Sequence, residues 1–406
     1  MKILLTIAFR NVFRQRRRTI LTMLTMFGGF TLASISIAWS DGSYSNIIEM
    51  FTRNQLGHIQ IHKKDYLDHP SLYKSIDHYR TIGKKAENIT GVETWTARLY
   101  SAGLASTGEK TAGVRISGID LKMEEQATNF QKKITAGKFF TAVKSKEALL
   151  GTGLSKILKA APGDEVAIVT QAADGSIANE AYTIAGLVES GNSMTDQVSL
   201  YLELSDAQEL LAMEGKVHEI AIIAEDADYV PELAREISAA VNDPMLKVSP
   251  WQEFASAFHE AMKADQGGMW ISLLIIIMLV AVGVLNTVLM SVLERSREYG
   301  ILKALGARPR QIFTLVLCEV SIMAAGSIII GIGLSALINH FLSIHGISLP
   351  HSFSYGGVQF KTMYSEINIR SFTIPAATVC AAAALVAIFP AVRAGRTSPA
   401  KAMRGH

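Results

Sequence analysis

Four stretches of this 406-residue chain stay apolar for longer than the helices of a soluble domain need. Thr19–Trp39 runs 21 residues without a charge, Met269–Leu293 runs 25 and Phe372–Val392 runs 21, while Ile312–Asn339 is interrupted by Glu319 alone. A helix rises about 1.5 Å per residue, so each stretch can cross a hydrocarbon core about 30 Å thick. The segment between the first two, residues 41–268, has a different texture. GHIQIH alternates Ile59 and Ile61 with His58, Gln60 and His62, the period of a strand. Similar runs predict strands at Ala148–Gly151, Glu165–Thr170, Tyr182–Glu189, Ser199–Leu202 and Glu219–Ala224. Helical spacing predicts helices near Ser71–Asn88, Ser205–Met213 and Tyr229–Val241. Pro162-Gly163-Asp164 and Asp174-Gly175 read as hairpin turns. The expected fold is an α-helical membrane protein with four transmembrane helices plus a large α+β extracytoplasmic domain between helices 1 and 2. A helix-strand lobe and a more β-rich lobe around 110–200 are expected within that domain. Helix-compatible residues continue from Trp39 to about Gln55, and Trp251–Gln266 spaces Trp251, Phe254, Phe258 and Met262 helically, so both flanking helices are expected to extend outward as a stalk.

Charge orients this arrangement. Fifteen of the 39 Lys and Arg residues fall in segments 1–18, 294–311 and 392–406, each abutting an apolar run and together holding only two acids, Glu294 and Glu298. Four crossings put both termini on one face, and the basic excess makes that face cytoplasmic. Segment 41–268 carries 22 basic against 32 acidic residues, a balance of −10, so the overall +3 is a topology signal and no nucleic-acid partner is expected. The division that follows is 1–18, a cytoplasmic interfacial helix; 19–55, transmembrane helix 1 and stalk; 56–250, the extracytoplasmic domain; and 251–293, stalk and helix 2. Then come a cytoplasmic helix at 294–311, helix 3 at 312–339, an extracytoplasmic loop at 340–371, helix 4 at 372–392 and a cytoplasmic tail at 393–406. Leu5, Phe9, Val12 and Phe13 share one helical face at the N-terminus, which fits either an interfacial helix or a positively flanked signal anchor. A cleaved signal peptide fits poorly, because the apolar run is too long and 18 residues precede it. Cys318 and Cys380, the only cysteines, both lie in predicted spans, so packing alone must hold the extracytoplasmic domain together.

Candidate chemistry is sparse. His58 and His62 share a strand face but stand about 13 Å apart, too far for common zinc ligation, and an exposed or lightly buried face is expected. GLASTGEKT at 103–111 has P-loop glycine spacing, yet Glu109 occupies the lysine position and would repel phosphates. No Gly-x-Ser-x-Gly elbow, His-Glu-x-x-His helix or thiol pair occurs, so neither a catalytic residue nor a metal or cofactor site is assigned. Glu319 is an exception, since a carboxylate inside a span costs about 2.5–3.5 kcal/mol on insertion scales and needs a partner or water. Either a helix-helix hydrogen bond or a gating role answers that need. Gly326, Gly331, Gly333 and Ser335 in the same span, and Asn286 with Thr287 in the second, read as helix-packing positions.

Segment 294–309, ERSREYGILKALGARP, carries the most information. Tyr299, Leu302 and Leu305 recur at helical spacing, Glu294, Arg295, Arg297 and Glu298 crowd its first turns, and Gly306 with Pro309 ends it. An orientation loop needs basic residues but has no reason to pair them with acids and stop at a glycine. The longer run NTVLMSVLERSREYGILKALGARPRQI resembles the signature of FtsX-like permeases, membrane subunits of ABC transporters of the lipoprotein-releasing and macrolide-exporter type. Asn286, Glu294, Arg295, Arg297, Glu298, Gly300, Lys303, Gly306 and Ala307 match it, with Tyr299 where isoleucine is commoner. Glu319 and the C-terminal PAVRAGRTSPAKAMRG (Pro390, Arg393, Pro399, Ala402, Arg404) also look like the family pattern. GHIQIHKKDY, LLGTGLSKIL with PGDEV, and SLYLELSDAQELL resemble the lipoprotein-releasing branch more loosely.

The resemblance implies a non-catalytic subunit that pairs with a second FtsX-like permease, as homo- or heterodimer, and with two cytosolic ABC ATPases. It needs no cofactor in this chain, and ATP and magnesium belong to the partner ATPase. The helix at 294–311 would be the coupling helix, its ATPase-coupling residues being Glu294, Arg295, Arg297, Glu298, Gly300, Leu302, Lys303, Leu305, Gly306 and Ala307. The expected role is extraction of lipoprotein, or a similar hydrophobic substrate, from the bacterial inner membrane in contact with membrane lipids, with a periplasmic chaperone as a further partner to consider. The alternatives are an efflux permease for antibiotics, peptides or toxins, and a non-transporting transducer that regulates a cell-wall hydrolase.

Overall fold

The structure, a computed structural model, describes residues 2–355 and 358–396. In chain order its elements are α1 (Lys2–Arg14), α2 (Arg16–Phe51), a π-turn at Thr52–Leu56, β1 (Ile59–Lys63), β2 (Ile76–Asp77), α3 (Tyr79–Glu87), β3 (Val92–Ser106), β4 (Thr111–Ile119) and α4 (Leu121–Thr128). They continue with β5 (Ile134–Gly137), β6 (Glu147–Gly151), α5 (Thr152–Leu158), β7 (Glu165–Gln171), β8 (Ile177–Val188), α6 (Ser193–Asp196), β9 (Ser199–Glu203), α7 (Leu204–Leu210), β10 (Lys216–Val217) and β11 (Glu219–Ala224). The last are α8 (Val230–Val241), β12 (Leu246–Pro250), α9 (Trp251–Phe254), α10 (Ser256–Glu294), α11 (Ser296–Ala304), α12 (Pro309–His345), β13 (Ile347–Tyr355), β14 (Val358–Met363) and α13 (Arg370–Arg396). They group into two compact units, one of residues 1–45, 262–349 and 362–406, the other of residues 46–261 and 350–361.

The first unit is helical. α2, α10, α12 and α13 are each long and apolar enough to cross a membrane. Their shared core includes Met26, Phe30, Val284, Val288, Val316, Val320, Ala383 and Ala387. Small residues set its tightness: a Cβ on Gly331 would lie 2.4 Å from the Phe30 ring, and one on Gly326 2.9 Å from Met23. Gly333, read from sequence as another packing position, instead has nothing within 4 Å. The segment expected as a 340–371 loop is partly regular, with α12 running through His345 and β13 pairing with β14. The tail positions Pro399, Ala402 and Arg404 lie outside the described residues.

The second unit is an α/β domain built on one ten-stranded mixed sheet, in the order β12-β1-β11-β3-β4-β9-β6-β8-β5, with β7 pairing both β3 and β8. The two lobes expected from sequence are therefore joined by one sheet, because the 15-residue β3 pairs β11 at its start and β4 and β7 further on. β11 is buried along its whole length, as the unbroken apolar run Ile220–Ala224 requires of a central strand. Asp120 and Glu203 cap α4 and α7 by accepting from backbone N–H groups of the first turn, and Asn242 ends α8 in the left-handed conformation. All six strands expected from spacing are present. Asp174-Gly175 turns the β7–β8 hairpin, but Pro162-Gly163-Asp164 joins a helix to a strand and is no hairpin. Ser71–Asn88 is not one helix, since β2 occupies its middle and α3 only its end. The helix expected from Trp251 breaks at Ala255, where the buried Trp251 and Phe258 rings meet edge to face at 6.0 Å.

His58 and His62 lie deep in this domain rather than on an exposed face. His58 Nδ1 accepts from the Ala224 amide (3.1 Å), and His62 reaches the His218 carbonyl (3.0 Å) and Gln60 Oε1 (2.9 Å). On α3, a Cβ on Gly83 would fall 2.4 Å from the Trp95 ring. Gly83→Ala is expected to destabilise the protein by about 1–2 kcal/mol, overpacking outweighing the gain in helix propensity. A thermal unfolding midpoint equal to or above wild type would refute it.

Candidate functional site

α10 ends at Glu294, and Arg295 takes a non-helical ψ of 12° before α11 begins. α11 stops by a Schellman closure: the Gly306 amide donates to Lys303 O (3.0 Å) and the Ala307 amide to Leu302 O (3.0 Å). Gly306 sits at φ +97°, a conformation that a side chain would strain. Arg308 is extended and Pro309 opens α12, where Gln311 Oε1 accepts from the Arg308 amide at 2.8 Å. Two breaks and a fixed stop thus isolate a nine-residue helix between two long ones.

A charge network fastens it. Arg295 Nη1 donates to both oxygens of Glu319 at 2.9 Å, and Arg295 Nε donates to Glu298 Oε2 at 2.9 Å. Asn11 Nδ2 donates to Glu319 Oε1 at 2.7 Å, so this carboxylate within an apolar helix joins α1, α11 and α12. Arg295 and Glu319 are both buried, and the guanidinium lies 5.3 Å from the ring centroid of Tyr299, itself fully buried. Burial opposes the Arg295 charge, but Glu319 beside it holds its pKa above the ordinary arginine value. Glu294 accepts from Arg18 Nη1 at 2.6 Å, and Glu298 lies 3.7 Å from Arg14 Nη2. At the other end of α11, Lys303 Nζ donates to Gly395 O of α13 at 2.7 Å.

The structure therefore brings Glu294, Arg295, Glu298 and Glu319 together at the start of α11 and ties Lys303 to α13 at its end, with Tyr299 and Gly300 buried and Leu302 partly buried. Leu305 does not join the inward face as its spacing predicts; it follows the last helical residue and is 81% exposed. Arg297 is exposed with no ion-pair partner among the described residues, and Ile301 and Ala304 complete an open surface with Leu305. Asn286 is also exposed, on α10, with no hydrogen-bond partner among the described residues, whereas Thr287 bonds back to Gly283 O at 2.8 Å. Asn11, Arg14 and Arg18 were legible only as an amphipathic basic segment, and nothing local in the sequence ties them to acids some 300 residues away.

Comparison with known proteins shows the family. The family model for the MacB-like periplasmic core domain matches residues 19–240, and that for the FtsX-like permease C-terminal region matches 270–399. The lipoprotein-releasing system transmembrane protein LolC of Neisseria meningitidis is 22% identical over 80% of this chain and 81% of its own length. An uncharacterized ABC transporter permease of Methanocaldococcus jannaschii is 23% identical over 99% of this chain and 98% of its own. The crystal structure of the periplasmic region of MacB from Actinobacillus actinomycetemcomitans superposes with a TM-score of 0.36 at 15% identity, covering 50% of this chain and 92% of that one. With both halves matched in order, and the isolated helix α11 standing between two long apolar helices in the second, the chain belongs to the FtsX-like permeases with a MacB-like periplasmic core domain and is an ABC transporter permease of that type.

Proposed function

We propose that this permease extracts lipoprotein, or a similar lipidated substrate, from the outer leaflet of a bacterial inner membrane, driven by ATP hydrolysis on a separate cytosolic subunit. The observation that carries the coupling part is the fastening of α11: a short helix with an open face of Arg297, Ile301 and Leu305, bound on its other side to α1, α12 and α13. A push on such a helix is passed to the spans rather than absorbed. The proposed division is the one read from charge, with 1–18, 294–311 and 393–406 cytoplasmic and 56–250 periplasmic. ATP and magnesium act on the ATPase. α10 is the least buried of the four spans and carries Asn286 on its open side, which suits it to a second permease. The substrate reading leans on the LolC relatives, which align along most of the chain.

Arg297→Glu combined with Leu305→Asp is expected to weaken ATPase co-purification by about tenfold or more, as loss of an interface anchor does, with the unfolding midpoint unchanged. Wild-type recovery of the ATPase would remove α11 as the docking element. Lipoprotein retention in spheroplasts lacking the permease tests the substrate. A macrolide export protein MacB from Psychrobacter cryohalolentis is 32% identical over 30% of this chain and 16% of its own, which keeps efflux as the second reading. Altered antibiotic susceptibility with normal lipoprotein release would favour it.

A further inference from the structure

One face of the α/β sheet is lined by polar and ionisable side chains across five strands. Register sets His62 opposite Glu219, Glu219 opposite Arg98, Tyr100 opposite Ser117, Ala102 opposite Arg115 and Ser117 opposite Tyr201, all on one side of the pleat. Two hollows open along this face. The larger has a volume of ≈ 590 Å³, within the range of small-molecule sites, and is walled by Leu56, Leu67, Pro70, Leu72 and Phe254. The smaller, ≈ 170 Å³, contains Arg98, Glu124 and Lys133. Leu56, Tyr100 and Arg115 line both.

The charges here are unequally satisfied. Arg98 donates to Glu124 at 2.8 and 3.1 Å and to Glu219 at 3.0 Å, so it is spent within the protein. Arg115 has no side-chain hydrogen bond or ion pair among the described residues. The Tyr66 and Tyr100 hydroxyls likewise have no hydrogen-bond partner among the described residues. Burial keeps both phenols protonated well above neutral pH, hence available as donors. Tyr66 is fixed between the His62 and His218 rings, at 5.1 and 5.3 Å. Three cations face two carboxylates across the two hollows, an excess of positive charge inside a segment whose balance is −10.

We propose that this face binds a small amphiphile with a single anionic head, the head held by Arg115 and Tyr100 and the apolar tail lying in the larger hollow along Leu67, Leu72 and Phe254. A bare anion would leave the apolar wall wet, and a cationic amphiphile would meet an unpaired guanidinium. The site belongs to the α/β domain alone and does not depend on which ATPase or cargo the permease serves.

The test is calorimetric titration of the full chain in lipid nanodiscs, with empty nanodiscs as background, using octanoate, octyl phosphate, octyltrimethylammonium and acetate. Octanoate or octyl phosphate is expected to saturate one site per chain, the preferred one identifying a carboxylate or phosphate head. Arg115→Gln is expected to weaken that binding by about tenfold, the loss of a charge-assisted bond, with Arg115→Lys intermediate. Leu67→Asp, on a half-exposed wall position, is expected to weaken it as well. Equal binding of octyltrimethylammonium, or no change in Arg115→Gln, would overturn the assignment of the head. Acetate binding as tightly as octanoate would overturn that of the tail. No saturable binding by either anionic amphiphile would overturn both.

Discussion

Arg98→Met is expected to be among the most destabilising single substitutions in the α/β domain, at about 3–5 kcal/mol, because it leaves buried carboxylates without their cation. Arg98 donates to Glu124 through Nε and Nη2 and to Glu219 through Nη1, and all three groups are buried. Thr96 and Thr128 add hydrogen bonds to Glu124, each at 3.0 Å, but supply no charge. The pH dependence separates this cause from simple loss of packing. Burial works to raise the Glu124 pKa, but Arg98 outweighs it and holds the group below its ordinary 4.5. A carboxylate with a depressed folded pKa contributes stability that is present above its unfolded pKa and lost as pH falls through the folded one. Wild type should therefore lose this contribution in acid. In Arg98→Met the sign reverses, since an unpaired buried carboxylate is relieved by protonation. The gap between the two unfolding midpoints should narrow as the pH is lowered from 7 toward about 4. A gap that stays constant over this range would show that volume, not charge, accounts for the loss.

What the sequence made legible was what depends on near neighbours. The four long helices follow from long apolar runs, one broken only by Glu319, and the isolated helix before α12 follows from the clustered acids and bases at 294–298 and the Gly306 stop. Strand and helix pairings across long separations were not legible. β3 and β4 were not legible, because GLASTGEKT, rejected as a P-loop for want of its lysine, shows no strand alternation of its own. They form a hairpin: Gly108 takes φ +82° in the turn, and a Cβ on Gly103 would fall 2.7 Å from Val169 O on β7. The same limit hid the partners of Glu319. Its cost within a span announced that something must satisfy it, but Arg295 and Asn11 lie 24 and 308 residues away. Leu305 shows the reverse error. Its spacing from Tyr299 and Leu302 fits a helical face, yet the helix ends one residue earlier and the side chain turns outward.

Arg295 and Glu319 allow stability and coupling to be measured apart. Arg295→Met strands the buried Glu319 and is expected to cost about 3–5 kcal/mol, Glu319→Leu less because Glu298 still pairs with Arg295; on the function proposed above, both lose ATP-driven release. Replacing both at once removes the desolvation problem along with the attraction, so the double variant should recover most of the lost stability, and a buried pair replaced by apolar groups can even gain. Coupling follows different physics. Two 2.9 Å hydrogen bonds from one guanidinium nitrogen hold α11 to α12 at a defined position, and a Met–Leu contact holds it at none in particular. The double variant is therefore expected to melt near wild type while release in proteoliposomes, with the ATPase bound, remains well below it. Glu298 and Asn11 stay in place as internal controls, since each touches only one member of the pair. If release returns together with stability, the pair merely fills a polar gap in the helix core, and transmission must run through Lys303 and α13 or through the packing around Tyr299. If stability returns alone, the ion pair itself carries motion from α11 into α12.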